Sequence, residues 1–120
     1  MTRPHTPNHI DYIEFPLPGA DALTQSQTFF SSVFDWTYQS WGESYADTAD
    51  SGVGSGLAAD PANGARSPLV VIYSDDLAAI RDKVLAAGGT ITRDTFAFPG
   101  GRRFHFKEPG GTELAVWSDQ

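Results

Sequence analysis

At 120 residues, with 40% hydrophobic and 12% aromatic side chains, the chain is long enough to bury one good core and too apolar for disorder. Its net charge of −7 is spread along the sequence and repels phosphate backbones, which argues against a nucleic-acid partner. No apolar run approaches the ~20 residues that cross a bilayer, and the absence of cysteine removes disulfides, a thiol nucleophile and thiolate metal sites.

The opening MTRPHTPNH is polar and lacks an apolar signal core, so a cytoplasmic location is expected and residues 1–8 read as a loose arm. His9 to Phe15 alternates as a strand, with Ile13 and Phe15 on one face and Tyr12 and Glu14 on the other. Pro16 and Pro18 end it. Asp21 reads as the N-cap of a helix to about Phe34, whose apolar stripe is Ala22, Leu23, Phe29, Phe30, Val33 and Phe34. Three strands follow, Trp36–Trp41, Ser44–Thr48 and Val53–Ala59, and then an aperiodic linker at 60–68 containing Pro, Asn and Gly.

The pattern then repeats. Leu69–Tyr73 is a short apolar strand, and Asp75 or Asp76 caps a helix with Leu77, Ile80, Val84 and Leu85 on its buried stripe and Gly88 just past its end. Thr90 to Ser118 reads as three antiparallel strands joined by the turns Pro99-Gly100-Gly101 and Pro109-Gly110-Gly111. Residues 9–59 and 69–118 thus each read βαβββ, a repeat of element order with little identity of letters.

Two βαβββ modules in one short chain, with FFSSVFDW, DDLAAIRDKVLAAGGTI and GRRFHFKEPGGTELAVW in their expected places, resemble the vicinal oxygen chelate superfamily, also called glyoxalase, bleomycin resistance and extradiol dioxygenase. The resemblance runs from about His9 to Ser118. It implies an α+β fold in which the two modules form a curved mixed sheet, an open cup, with helices on the convex side. Leu114, Val116, Phe104 and Phe106 then belong under the helices. Tyr12, Glu14, Tyr73, His105, Glu113 and Trp117 are the candidate ligand-binding residues of the cup, with Trp41 or Tyr45 as further aromatic walls.

Metal-dependent members hold a divalent cation through His and Glu. On this chain the corresponding positions fall on Tyr12, near Leu69, within 51–59 and on Ala115, and none carries an ordinary ligand. No cofactor is expected, with a divalent metal as the runner-up: Glu14, His105 and Glu113 would suffice chemically if they met. P-loop, dinucleotide and nucleophile-elbow motifs are absent.

Three readings follow. The favoured one is a metal-free protein binding a small aromatic or cationic molecule, because aromatic faces attract cations and carboxylates pair with them. The second is a lyase, isomerase or dioxygenase of the same superfamily, using a displaced metal or a Glu14 or Glu113 general base. The third is an interaction protein with a vestigial cup. Homodimerisation is implied by the resemblance.

Overall fold

The computed structural model describes residues 5–59 and 67–120, so most of the 60–68 linker lies outside the described residues. The fold is α+β, and among the described residues there are eight strands in mixed parallel and antiparallel pairings and two helices. The chain divides into two compact units, 12–69 and 70–120, and residues 5–11 belong to the second; the boundary falls inside β1 (Ile10–Pro16).

In the first unit, α1 (Ala20–Phe34) is followed by β2 (Gln39–Ser40), β3 (Tyr45–Thr48) and β4 (Gly54–Ala58), in the sheet order β2-β3-β4-β1. β4 runs parallel to β1 and antiparallel to β3. Leu23, Ala46, Leu57 and Ala59 form the core, with Phe15, Leu17, Phe30 and Tyr38 packed against it. Full burial of Leu23 and Leu57 contributes roughly 1.5–3 kcal/mol each, and the alanines less.

Three sequence expectations are corrected here. Asp21 is not the cap of α1: Gly19 stands at that position with no side-chain cap, and Asp21 lies in the first turn, where a carboxylate still suits the helix dipole. The apolar stripe of α1 is buried fully only at Leu23, while Phe29, Val33 and Phe34 stay more than half exposed. The last turns stack instead among themselves, Phe30 on Trp36 at 5.1 Å and Phe34 on Trp36 at 5.5 Å. The expected strand Trp36–Trp41 shrinks to two residues, because the Thr37 N–H donates to Asp50 Oδ2 at 2.8 Å rather than to a ladder. At its far end the Trp41 N–H donates to the Tyr45 carbonyl at 2.9 Å, closing a turn through Gly42 at φ 95°.

The second unit contains β5 (Leu69–Tyr73), α2 (Leu77–Ala86), β6 (Thr90–Phe98), β7 (Gly101–Lys107) and β8 (Glu113–Ser118), in the order β5-β8-β7-β6. β5 is parallel to β8, and the last three strands are antiparallel, as the two glycine turns require. Asp76 caps α2 by accepting from the Ala79 N–H at 3.1 Å. Beyond the helix, Gly88 takes the left-handed conformation, φ 96°. The core is Leu77, Phe104, Phe106 and Val116, flanked by Ile80, Val84, Ile91 and Leu114. Phe104, Phe106, Leu114 and Val116 therefore face α2, and alternation sends His105, Glu113, Ala115 and Trp117 to the opposite face.

Candidate functional site

The site residues read from the sequence fall into three clusters. In the first unit, Tyr12 and Glu14 leave β1 on the same face and meet Tyr45 from β3. Tyr45 Oη donates to Glu14 Oε2 at 3.2 Å and lies 2.5 Å from Tyr12 Oη. Glu14 is only 3% exposed. β4 lies between the two tyrosine-bearing strands, and there Gly56 is in register with both Glu14 and Asp47. A Cβ on Gly56 would collide with both tyrosine hydroxyls, so glycine is what leaves them room to meet. The result is a phenol–phenol–carboxyl chain whose carboxyl end is buried.

The second cluster gathers Tyr73 and Trp117 with residues from the first strand and both termini. Trp117 Nε1 donates to Asp11 Oδ2 at 3.0 Å, and His5 Nδ1 lies 3.1 Å from Asp11 Oδ1. The His5 ring stacks on Tyr73 at 5.2 Å and meets Trp117 edge-on at 4.9 Å. Tyr73 Oη donates to Asp119 Oδ1 at 2.6 Å. That bond, with burial, pushes the Tyr73 hydroxyl above its usual value and holds Asp119 below the ordinary carboxylate range. His5, in the segment read from the sequence as a loose arm, is instead held between two rings and a carboxylate. The segment carrying it is fixed by the Asn8 N–H donating to the Tyr73 carbonyl at 2.9 Å and the Tyr73 N–H donating to the His9 carbonyl at 3.1 Å.

The third cluster is His105 and Glu113, diagonal neighbours on β7 and β8, with Nδ1 and Oε2 4.0 Å apart. Glu113 accepts from Thr92 Oγ1 at 2.7 Å, and His105 packs against the Phe96 ring at 5.8 Å. Arg93 covers that ring at 3.7 Å and Arg103 approaches it at 5.4 Å.

The divalent metal of the resembled superfamily does not fit these residues. Tyr12 turns its hydroxyl to Tyr45, Leu69 is 1% exposed in β5, Ala115 is fully buried, and β4 offers Gly, Ser, Leu and Ala. Among the described residues no three His, Asp or Glu side chains are grouped to hold a metal. Within their own units, Glu14 accepts from Tyr45 and Glu113 accepts from Thr92.

Sequence reasoning missed Asp11, His5 and Asp119 and gave Tyr45 only a minor place. Asp11 is separated from Trp117 by 106 residues, so nothing local announces the pair. A polar residue inside a strand pattern was the one available signal.

No protein-family model and no curated protein matches the sequence. Solved structures do match. An NAD-dependent benzaldehyde dehydrogenase from Legionella pneumophila superposes with TM-score 0.72 at 13% identity, covering 89% of this chain and 96% of that one. The Mn(II)-bound glyoxalase from Novosphingobium aromaticivorans gives 0.66 at 22% identity, covering 93% of this chain and 39% of that one. A glyoxalase/bleomycin resistance protein/dioxygenase superfamily member from Vibrio splendidus 12B01 gives 0.65 at 13% identity, covering 89% and 96%. At these identities the likeness is one of fold, and fold alone does not carry activity. Element order, strand pairing and superposition agree: the chain has the vicinal oxygen chelate fold of the glyoxalase/bleomycin resistance/dioxygenase superfamily.

Proposed function

We propose that this chain binds a small aromatic or cationic organic molecule without a metal ion. The observation that carries the reading is the Tyr12–Tyr45–Glu14 chain. Where the resembled superfamily places a metal ligand, this sequence places a phenol that hydrogen-bonds to a second phenol backed by a buried carboxylate. Hydroxyls arranged in this way donate to and accept from an organic ligand, and Glu14 supplies the negative charge that favours a cation. In the second unit the half-buried Trp117 ring and Glu113 carboxylate are further candidate contacts, while Tyr73 and His105 are buried behind them.

The test is calorimetric titration of chelator-treated protein with a panel of aromatic amines, guanidines and neutral aromatics. Saturable binding that Tyr12→Phe and Glu14→Gln each weaken supports the reading. Binding that appears only after Mn(II) or Zn(II) is restored would refute it.

The same hydrogen bonds favour a second reading, an enzyme in which Glu14 acts as general base through the Tyr45 and Tyr12 hydroxyls. A pH–rate profile altered by Tyr45→Phe would distinguish it from passive binding.

A further inference from the structure

The region of β2, β3 and their flanking turns holds a cleft whose lining does not include Tyr12, Tyr45 or Glu14. The cleft, of about 320 Å³ and open to solvent, has Tyr38, Gln39, Trp41, Asp47, Thr48 and Asp50 among its lining residues. Trp41 is 58% exposed, a large apolar area for a tryptophan that serves only as packing. Tyr38 is anchored from behind, since it packs against the Leu23–Leu57 core, and burial pushes its hydroxyl above the usual value, so it remains a neutral phenol. Gln39 and Asp47 are register partners and stand side by side on one face of the β2–β3 ladder. Asp50 is fixed by accepting from the Thr37 N–H, and its own N–H donates to Thr48 Oγ1 at 3.0 Å.

Charge supplies an independent observation. From Tyr12 to Ala59 the sequence contains no Lys, Arg or His, yet it contains Glu14, Asp21, Asp35, Glu43, Asp47 and Asp50. The first unit's described residues therefore bring no cation of their own to the two carboxylates of the cleft. Two carboxylates beside an exposed indole and an anchored phenol are complementary to an organic cation: the rings attract it through their π faces and the acids through charge. A cleft of this size fits a molecule of small-metabolite dimensions.

The geometry points to this cleft as a binding site for a small organic monocation, an alkylammonium or guanidinium compound with an apolar or aromatic body. The site extends the proposed ligand class to a cleft that adjoins the Tyr12–Tyr45–Glu14 chain without sharing a residue with it, and it is tested by residues of its own.

The experiment is a titration of the 15N-labelled full chain with benzyltrimethylammonium and with phenylguanidine, using benzyl alcohol and benzoate as neutral and anionic controls. Saturable shifts centred on the amides of 37–41 and 47–50 and on the Trp41 indole are expected for the two cations only. Asp47→Asn and Asp50→Asn should each weaken binding roughly tenfold, the scale of one charge–charge contact at a half-exposed site. Asn at 50 can still accept from Thr37, so the loop is retained. Trp41→Leu should weaken binding by a similar factor, roughly tenfold, while Tyr12→Phe leaves it unchanged. Equal binding of benzyl alcohol, shifts centred on Tyr12 and Glu14 rather than on 37–41 and 47–50, Trp41 covered by a second copy of the chain, or no saturation below about 10 mM would each overturn the proposal.

Discussion

Tyr12 Oη and Tyr45 Oη lie 2.5 Å apart over a glycine, and Tyr45 hands its hydrogen bond to the buried Glu14. Gly56 is the hinge of this arrangement because any Cβ there occupies the space of the hydroxyls. Gly56→Ala should cost about 1–3 kcal/mol, the usual range for overpacking. It should also separate the two phenols. Urea denaturation measures the first effect and tyrosine-selective NMR the second; an unchanged midpoint with unchanged Tyr signals would remove Gly56 from the account.

Tyr45→Phe takes away the hydroxyl that donates to Glu14 while leaving the ring. With the carboxylate 3% exposed, the loss should be about 1–3 kcal/mol, the cost of a buried acceptor losing a donor. Glu14→Gln in the same background should recover part of it, because a neutral amide is less costly to bury than a carboxylate. A thermal-melt double-mutant cycle measures the coupling, and strict additivity would mean that the two side chains do not interact.

Asp11 joins the indole of Trp117 to the ring of His5. Asp11→Ala leaves the indole N–H without this acceptor and should lower stability by about 1–3 kcal/mol. Asp11→Asn keeps a carbonyl oxygen for Trp117 and should lose less. The check is the denaturant midpoint together with the Trp117 indole resonance, which should move in both variants; an unmoved resonance would place Trp117 elsewhere.

The Tyr73–Asp119 hydrogen bond gives a pH signature with a definite sign. Asp119 is held below its ordinary value, so its contribution is present above the unfolded carboxylate value of about 4 and is lost as pH falls through the lower folded value. Asp94, bonded by the Thr95 N–H and by Arg81, and Glu108, bonded by the Gly110 N–H, act in the same direction. Tyr73 is raised, so its contribution is present below the unfolded phenol value of about 10 and is lost as pH climbs through the higher folded value. Tyr73→Phe should flatten the alkaline limb and soften the acid one; Asp119→Asn should soften the acid limb. Urea midpoints measured against pH decide it, and superimposable profiles would contradict the pairing.

The sequence made the second unit easier to read than the first. The glycine turns, the Asp76 cap and the Phe104/Phe106 alternation are local signals, and local signals set antiparallel strands. In the first unit, a side chain from 13 residues away, Asp50, takes the Thr37 N–H and shortens a strand that propensity alone would extend. The helix stripe there was legible as a pattern but not as burial, since Phe30, Phe34 and Trp36 satisfy one another. At the candidate sites, Tyr12 and Glu14 follow from strand alternation. Asp11, His5 and Asp119 do not, because their partners are set by distant chain segments, and the distance from Asp11 to Trp117 in sequence leaves no local trace.

The proposed function has an organic ligand bound at the Tyr12–Tyr45–Glu14 chain without a metal ion. The most direct measurement is the intrinsic tryptophan emission of chelator-treated protein titrated with an aromatic guanidine or ammonium compound, before and after one equivalent of Mn(II). Saturable quenching without metal, unchanged by Mn(II) and weakened in Glu14→Gln, is expected. Quenching that requires Mn(II), or is indifferent to Glu14→Gln, would contradict the proposed function.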